Sequence, residues 1–311
     1  MILKAPSKPE SLLRLQRLVI RSHDPSPYLQ DLRNREQGYK YEPELSFYLD
    51  RILHLFHPIP IIILHDVRIP IANSSIQIDC LLLTPYFGLI IEVKGTSGKM
   101  SFSQNAHFFH YDKGEISNPI TQAEEQRDQL QHLLKMNDYP IEYVVSLGHP
   151  NVFVNTDESS EWVRDVVIPF NMLKNHMKRL IQKHTYDYLS KQQLMELGYR
   201  LLAKHRTERK FYHMDPSSIE YGVICPSCNR LKMIRLKFKW QCPHCGAESD
   251  DAHYQDLMDW FSFINYERIT NRDCRSFLQL SNSSTSFNIL RNCSFLEVRG
   301  KNRGAHYVRR I

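Results

Sequence analysis

Two stretches, Ile76-Gln-Ile-Asp-Cys-Leu-Leu-Leu83 and Leu89-Ile-Ile-Glu-Val-Lys-Gly95, are almost unbroken apolar runs interrupted by charge at Asp79, Glu92 and Lys94. Runs of this length and composition belong to strands of a sheet covered on both faces, where an unpaired carboxylate costs several kcal/mol. Charges persist there only when they pair or hold a cation. Glu92 and Lys94 stand two residues apart, so a strand projects both from one face. Pairing of the two runs across the turn at residues 84–88 brings two carboxylates and an ammonium to one point. Such a point is a site for a hard cation with a lysine at its edge.

At 311 residues the chain exceeds the usual size of one domain, and two or three units are expected. No run approaches the ~18 apolar residues of a membrane span. The first ten residues carry Lys4 and Lys8 but no apolar segment of signal-peptide length. The expectation is a cytoplasmic protein with no membrane partner. Seven cysteines, four of them in Cys-x-x-Cys pairs, fit metal ligation in a reducing compartment better than a disulfide framework. The net charge of +6 is unevenly spread. Residues 1–170 hold 16 Lys+Arg against 21 Asp+Glu, and residues 171–311 hold 24 against 13. A basic half attracts a polyanion, while an acidic half around carboxylates can hold divalent cations.

Hydrophobic periodicity predicts an amphipathic helix over residues 9–21, packing on the next domain, and a longer helix over 42–55 with Glu42 in its first turn. Strands are predicted over 61–67, 76–84 and 89–95, with a weaker aromatic one over 107–111. His107, His110 and Tyr111 there read as substrate contacts or as aromatic packing. Asn118 offers a cap and Pro119 a first helical position for a helix to about residue 136. A strand over 143–147 and a basic helix over 170–184 follow. This order predicts an α/β sandwich.

With the elements placed, Asp79, twelve residues and then Glu92-Val93-Lys94 resemble the Asp/Glu-x-Lys signature of the PD-(D/E)XK nucleases. The surroundings resemble the nuclease-related domain called NERD. Gly38-x-x-Tyr41-Glu42 is similar to that family's opening Gly-x-x-Gly-Glu with the second glycine replaced. Gln77-Ile78-Asp79, Ile91-Glu92-Val93-Lys94 and Asn118-Pro119-x-x-Gln122 are similar to its next three motifs, in order, over about residues 8–150.

The resemblance implies a PD-(D/E)XK nuclease-like α/β sandwich and a metal-dependent nuclease, one of the bacterial DNA-processing enzymes. Asp79 and Glu92, with the main-chain carbonyl of Val93, would hold Mg²⁺ or Mn²⁺. Lys94 would hold the attacking water and stabilise the charge of the transition state. Glu42 would ligate metal through water or hold a second ion, and Gln122 would orient the phosphate or the water. From the residues alone, the alternative readings are a helix-dipole carboxylate for Glu42, a solvated amide for Gln122 and a buried ion cluster for the other three. Tyr41 cannot take a positive φ cheaply, so the approach to Glu42 is expected to differ from the family's.

The second signal is Cys225-Pro-Ser-Cys228, thirteen residues, then Cys242-Pro-His-Cys245-Gly246. Two such knuckles put four thiolates at tetrahedral corners, a soft site that selects zinc, and the pattern resembles a zinc ribbon with a closed, structural site. His244 reads as an exposed spacer, and Cys80, Cys274 and Cys293 as small buried residues. Between the knuckles, Arg230, Lys232, Arg235, Lys237 and Lys239 alternate with apolar residues as in a hairpin. Arg235, Lys237 and Lys239 would share a face along a phosphate backbone, with Phe238 and Trp240 packed inward or stacked on bases.

Helices predicted over 254–264, 271–280 and 283–291, then two strands over 295–311, resemble a winged helix-turn-helix. That resemblance puts Thr285, Ser286 and Asn288 on a recognition helix and Arg299, Lys301 and Arg303 in a basic wing. The predicted domains are 1–184, a nuclease domain with a helical lead-in; 185–220, a connector; 221–249, the ribbon; and 250–311, the winged module. The expected function is hydrolysis of phosphodiester bonds in DNA, with the basic tail gripping the substrate. Two alternatives stay open at this point: an inactive DNA-binding regulator on a nuclease-like fold, and a nuclease working only within a complex recruited through the ribbon or the C-terminal module.

Overall fold

The computed structural model describes all residues except 72–73, 103–107, 111–113, 117, 157–160, 208–211, 213 and 311, and the side chains of 108–110, 114–116, 156 and 303 are likewise outside the description. The chain divides into two compact units, the first formed by residues 1–9 and 34–208, the second by 10–33 and 209–311. No helix among the described residues is long and apolar enough to cross a membrane.

The first unit is a mixed α/β sandwich. Strands β1 (Ile2–Lys4), β2 (Ile62–Ile71), β3 (Ser74–Leu83), β4 (Gly88–Lys94), β8 (Ile141–Leu147) and β10 (Val167–Pro169) form one sheet in the order β1-β2-β3-β4-β8-β10. β2, β3 and β4 pair antiparallel, whereas β1 with β2, β4 with β8 and β8 with β10 are parallel. A second sheet joins β5 (Gly98–Phe102), β6 (Phe108–His110), β7 (Gly114–Ile116) and β9 (Val152–Thr156). His107 and Tyr111 lie outside the described residues, as does the side chain of His110.

Both faces of the six-stranded sheet are covered, as the apolar runs require. On one face Cys80, Leu82, Leu89, Ile91 and Val93 pack against helix α2 (Ser26–Leu53) through Leu45, Leu49 and Ile52, and against α5 (Leu173–Lys183) through Leu173, Met177 and Leu180. On the other, Leu81, Leu83 and Ile90 pack against α3 (Pro119–Leu134) and α6 (Lys191–Lys204). α3 begins as predicted, with the Asn118 side chain accepting from Ile120 N and Pro119 in the first position. α6 lies in the stretch left without an element by periodicity. Its start is a capping box in which Ser190 and Gln193 bond reciprocally, a Ser-x-x-Gln signal present in the sequence.

α2 departs most from expectation. It begins at Ser26, not near residue 42, because Pro27 falls in the first turn, where its missing N–H is harmless. Residues 28–41 show no apolar stripe, so periodicity does not reveal them. Glu42 consequently sits in mid-helix, and the helix-dipole reading of its carboxylate is removed. Tyr41 is helical and buried, with no positive φ. Its ring fills the space left by Gly95 and Gly148, where a Cβ on either would strike it.

The second unit contains α1 (Glu10–Arg21), the ribbon strands β11 (Ile234–Arg235), β12 (Trp240–Gln241) and β13 (Glu248–Ser249), helices α7 (His253–Asp259), α8 (Asn271–Phe277) and α9 (Ser283–Asn292), and the hairpin β14 (Leu296–Arg299) with β15 (His306–Arg309). The end of α7 continues as one π-helical turn, Trp260–Ile264. A single core runs through Cys225, Trp240 and Cys242 of the ribbon and Leu257, Phe277, Ile289 and Leu296 beyond it. Ile269 bridges to Tyr307, adding a third strand position to the hairpin. The cap of α9 is Asn282, which accepts from Thr285 N. α1 packs within this unit through Leu15 and Leu18. Cys80, Cys274 and Cys293 are buried among apolar side chains, as expected.

Candidate active site

The active-site candidate grows from a fault in the sheet. Along β2 the core positions are Ile62 and Leu64, then Val67 and Ile69; along β3 they are Ile76 and Ile78, then Leu81 and Leu83. In both strands the alternation slips by one residue, at Asp66 and Asp79. Asp66 has φ +45°, and the register passes from His65–Cys80 to Val67–Ile78 with no pair between the two aspartates. β3 and β4 then separate beyond the Cys80–Ile91 pair. The Asp79 carboxylate occupies the fork, accepting the Val93 N–H at 2.8 Å in place of a ladder bond.

Around this fork, a cleft of about 260 Å³ is lined by Gly38, Glu42, Gln77, Asp79, Glu92, Val93, Lys94 and Gln122. All five side chains singled out as catalytic from sequence therefore face one cavity. Lys94 Nζ donates to Glu92 Oε1 at 2.7 Å and to Gln122 Oε1 at 3.0 Å. Glu92 is buried, and its second oxygen accepts from Gln126 Nε2 at 2.9 Å. The same Gln126 nitrogen donates to the Gln77 carbonyl at 2.8 Å, so the amide ties Glu92 to β3. Gln126 escaped the motif comparison. Its signal was nonetheless present: four residues after Gln122, it shares that residue's helical face.

The electrostatics favour an added cation. Burial pushes the Asp79 carboxyl up to about 8, with the Glu92 charge reinforcing the rise and the Val93 N–H opposing it. Burial also lifts Glu42 up to about 8, and the Asp79 charge adds to the effect. Glu42 Oε2 is buried and has no hydrogen-bond partner among the described residues. Three carboxylates thus share the cleft with one ammonium, and oxygen donors of this kind fit a hard divalent ion. Glu42, Asp79 and Glu92 are more widely spread than a closed metal cage. Among the described residues only the four ribbon cysteines bring three or more ligand atoms within 4.8 Å of one another.

A pH-dependent stability follows from Glu42. Its carboxyl is held neutral in the folded state, so the associated stabilisation is complete below its ordinary value near 4.5 and is lost as pH rises through about 8. Glu42→Gln should therefore stabilise the protein relative to wild type at pH 8 by on the order of 2 kcal/mol, with little difference at pH 4. Urea unfolding at both pH values without added divalent ion measures it. An equal difference at both would show that the carboxyl is not strained by its charge.

In the second unit, Cys225, Cys228, Cys242 and Cys245 converge. The Sγ atoms of Cys225 and Cys245 are 3.7 Å apart, and those of Cys228 and Cys242 3.6 Å. Zinc–thiolate bonds of about 2.3 Å in a tetrahedron require edges of about 3.8 Å, whereas a disulfide requires about 2.05 Å. The cluster is compatible with a zinc ribbon.

The predicted nucleic-acid contacts divide. Arg230, Lys237 and Lys301 are exposed. Lys232 pairs with Glu220, Lys239 with Glu248 and Arg299 with Glu297. Arg235 lies 5.2 Å from the centroid of the Trp240 ring, and the side chain of Arg303 is outside the description. Of the two arrangements expected for Phe238, packed inward or exposed, the residue takes the second, at 73% exposure. One expectation is corrected. Ser286 is buried and donates to the Asn271 carbonyl, so it stitches α9 to α8 and is not presented on a recognition face.

Residues 37–148 match the NERD family, the nuclease-related domain. The matched segment contains every residue lining the cleft. No curated protein matches the chain, and no solved structure does.

Proposed function

We propose that this protein is a metal-dependent nuclease that hydrolyses phosphodiester bonds in DNA. The observation that carries the reading is the convergence of Glu42, Asp79, Glu92, Lys94 and Gln122 on one cleft within the nuclease-related segment. Asp79, Glu92 and the Val93 carbonyl would hold Mg²⁺ or Mn²⁺, with Glu42 as an outer carboxylate. A divalent ion bound there would lower the pKa of its water and neutralise charge on the scissile phosphate. Lys94 acts through position. Glu92 and Gln122 take two of its three N–H groups, and the third is directed to the attacking water or a phosphate oxygen. Gln126 fixes the Glu92 carboxylate, so the lysine is oriented at both ends of its ion pair. The second unit, with the zinc ribbon and a basic winged-helix-like module, would hold the DNA.

The test is cleavage of circular plasmid, linear duplex and single-stranded DNA by wild type and Lys94→Ala with Mg²⁺, with Mn²⁺ and with neither. Metal-dependent nicking or degradation is expected, reduced about 10²–10³-fold in the variant with DNA binding retained. Tight binding without cleavage by wild type under either metal would overturn the enzyme and leave a DNA-binding regulator.

A further inference from the structure

The ribbon hairpin buries Met233 and Trp240 in the core and carries a second apolar row that faces water. In ordinary amphipathic hairpins the apolar side covers the core and the cations meet water. Here Ile234, Leu236 and Phe238, at alternate positions, are 54%, 39% and 73% exposed. On the opposite side Arg235 lies over the buried Trp240, and Lys239 pairs with Glu248 at the surface at 2.6 Å. A backbone bond from Leu236 N to Lys239 O closes the tip and holds Phe238 at its apex. The Lys237 ammonium lies 5.3 Å from the Phe238 ring centroid. Among the described residues neither Lys237 nor Arg230 forms an ion pair, and both are exposed.

We infer that this outward face is a stacking platform for single-stranded nucleic acid, with Phe238 taking a base and Lys237 a flanking phosphate. The inference rests on the DNA-directed reading above and adds the strandedness of the ligand. An exposed aromatic ring beside the exposed Lys237 ammonium matches the two demands of a single strand, whose bases offer open faces and whose backbone carries regular negative charge. In duplex the bases are already stacked, so the ring could engage them only by unstacking a step. Trp240 is buried and takes no part.

The experiment measures fluorescence anisotropy of a labelled 20-nucleotide strand and of its duplex with the zinc-loaded full chain, without Mg²⁺ or Mn²⁺. It reads binding alone, so it stands whether or not the protein cuts. Wild type should bind the strand more tightly than the duplex, and Phe238→Ala should weaken strand binding about tenfold. Phe238→Trp should restore it, with zinc content unchanged in both. Lys237→Gln should lower the log–log salt slope by about 0.7. Unchanged strand affinity in Phe238→Ala, loss not restored by Phe238→Trp, or equal affinity for strand and duplex would each overturn the assignment.

Discussion

Treatment with a zinc chelator, or replacement of Cys242 by Ser, should unfold the second unit while the six-stranded sheet stays intact. Structural zinc contributes on the order of 10 kcal/mol of apparent binding free energy, comparable with the 5–15 kcal/mol that holds a whole domain together. The effect should not stop at the ribbon. Cys225 and Cys242 belong to the same buried cluster as Trp240, Leu257, Phe277 and Leu296, so loss of the knuckles opens the core beneath α7 and α8. Fluorescence of Trp240 and Trp260 should shift to the red on metal loss, and bound zinc should fall from about one per chain to none. Retention of the folded signal in metal-free protein would show that the apolar core suffices.

Arg21→Ala should cost the second unit about 3–5 kcal/mol, the range for removing one partner of a buried ion cluster. Arg21 is fully buried; its Nε donates to Asp259 at 2.8 Å and its Nη1 to the Glu220 and Gly222 carbonyls at 3.2 and 3.1 Å. It also bonds Asp256 and lies 4.6 Å from the Phe277 ring centroid. Arg17 reaches the same two aspartates from one turn earlier. The cluster is two anions and one cation fully buried with Arg17 at its partly exposed edge, and truncation of Arg21 leaves carboxylates only partly matched. Arg21→Lys should also be costly, because an ammonium cannot reproduce the planar fork that serves both carboxylates and both carbonyls. Denaturant unfolding of the second unit measures the loss. A cost below 1 kcal/mol would show that Arg17 alone satisfies both aspartates.

Much of the cleft was legible before any coordinates. Charges inside apolar runs had to converge or be excluded, and Asp79, Glu92 and Lys94 do converge. The four cysteines were equally plain, since their spacing has few other uses. The residues that complete these sites were less so. Gln126 is an ordinary helical glutamine until α3 is laid across the sheet, and Arg21 is one basic residue among several in an amphipathic helix until Asp256 and Asp259, more than 230 positions away, are brought beside it.

The sequence by itself determined the central strands β2, β3, β4 and β8, the cap of α3, the two-faced burial of the sheet and the convergence of Asp79, Glu92 and Lys94, because each depends on local periodicity or on side chains whose burial demands a partner. Only the tertiary structure decided that Glu42 lies in mid-helix, that Tyr41 fills the space beside Gly95 and Gly148, that α1 packs within the second unit, and that Ile234, Leu236 and Phe238 of the ribbon face water. Each of those outcomes is set by which surfaces meet across distant segments, and periodicity records only that a face is apolar, not what covers it.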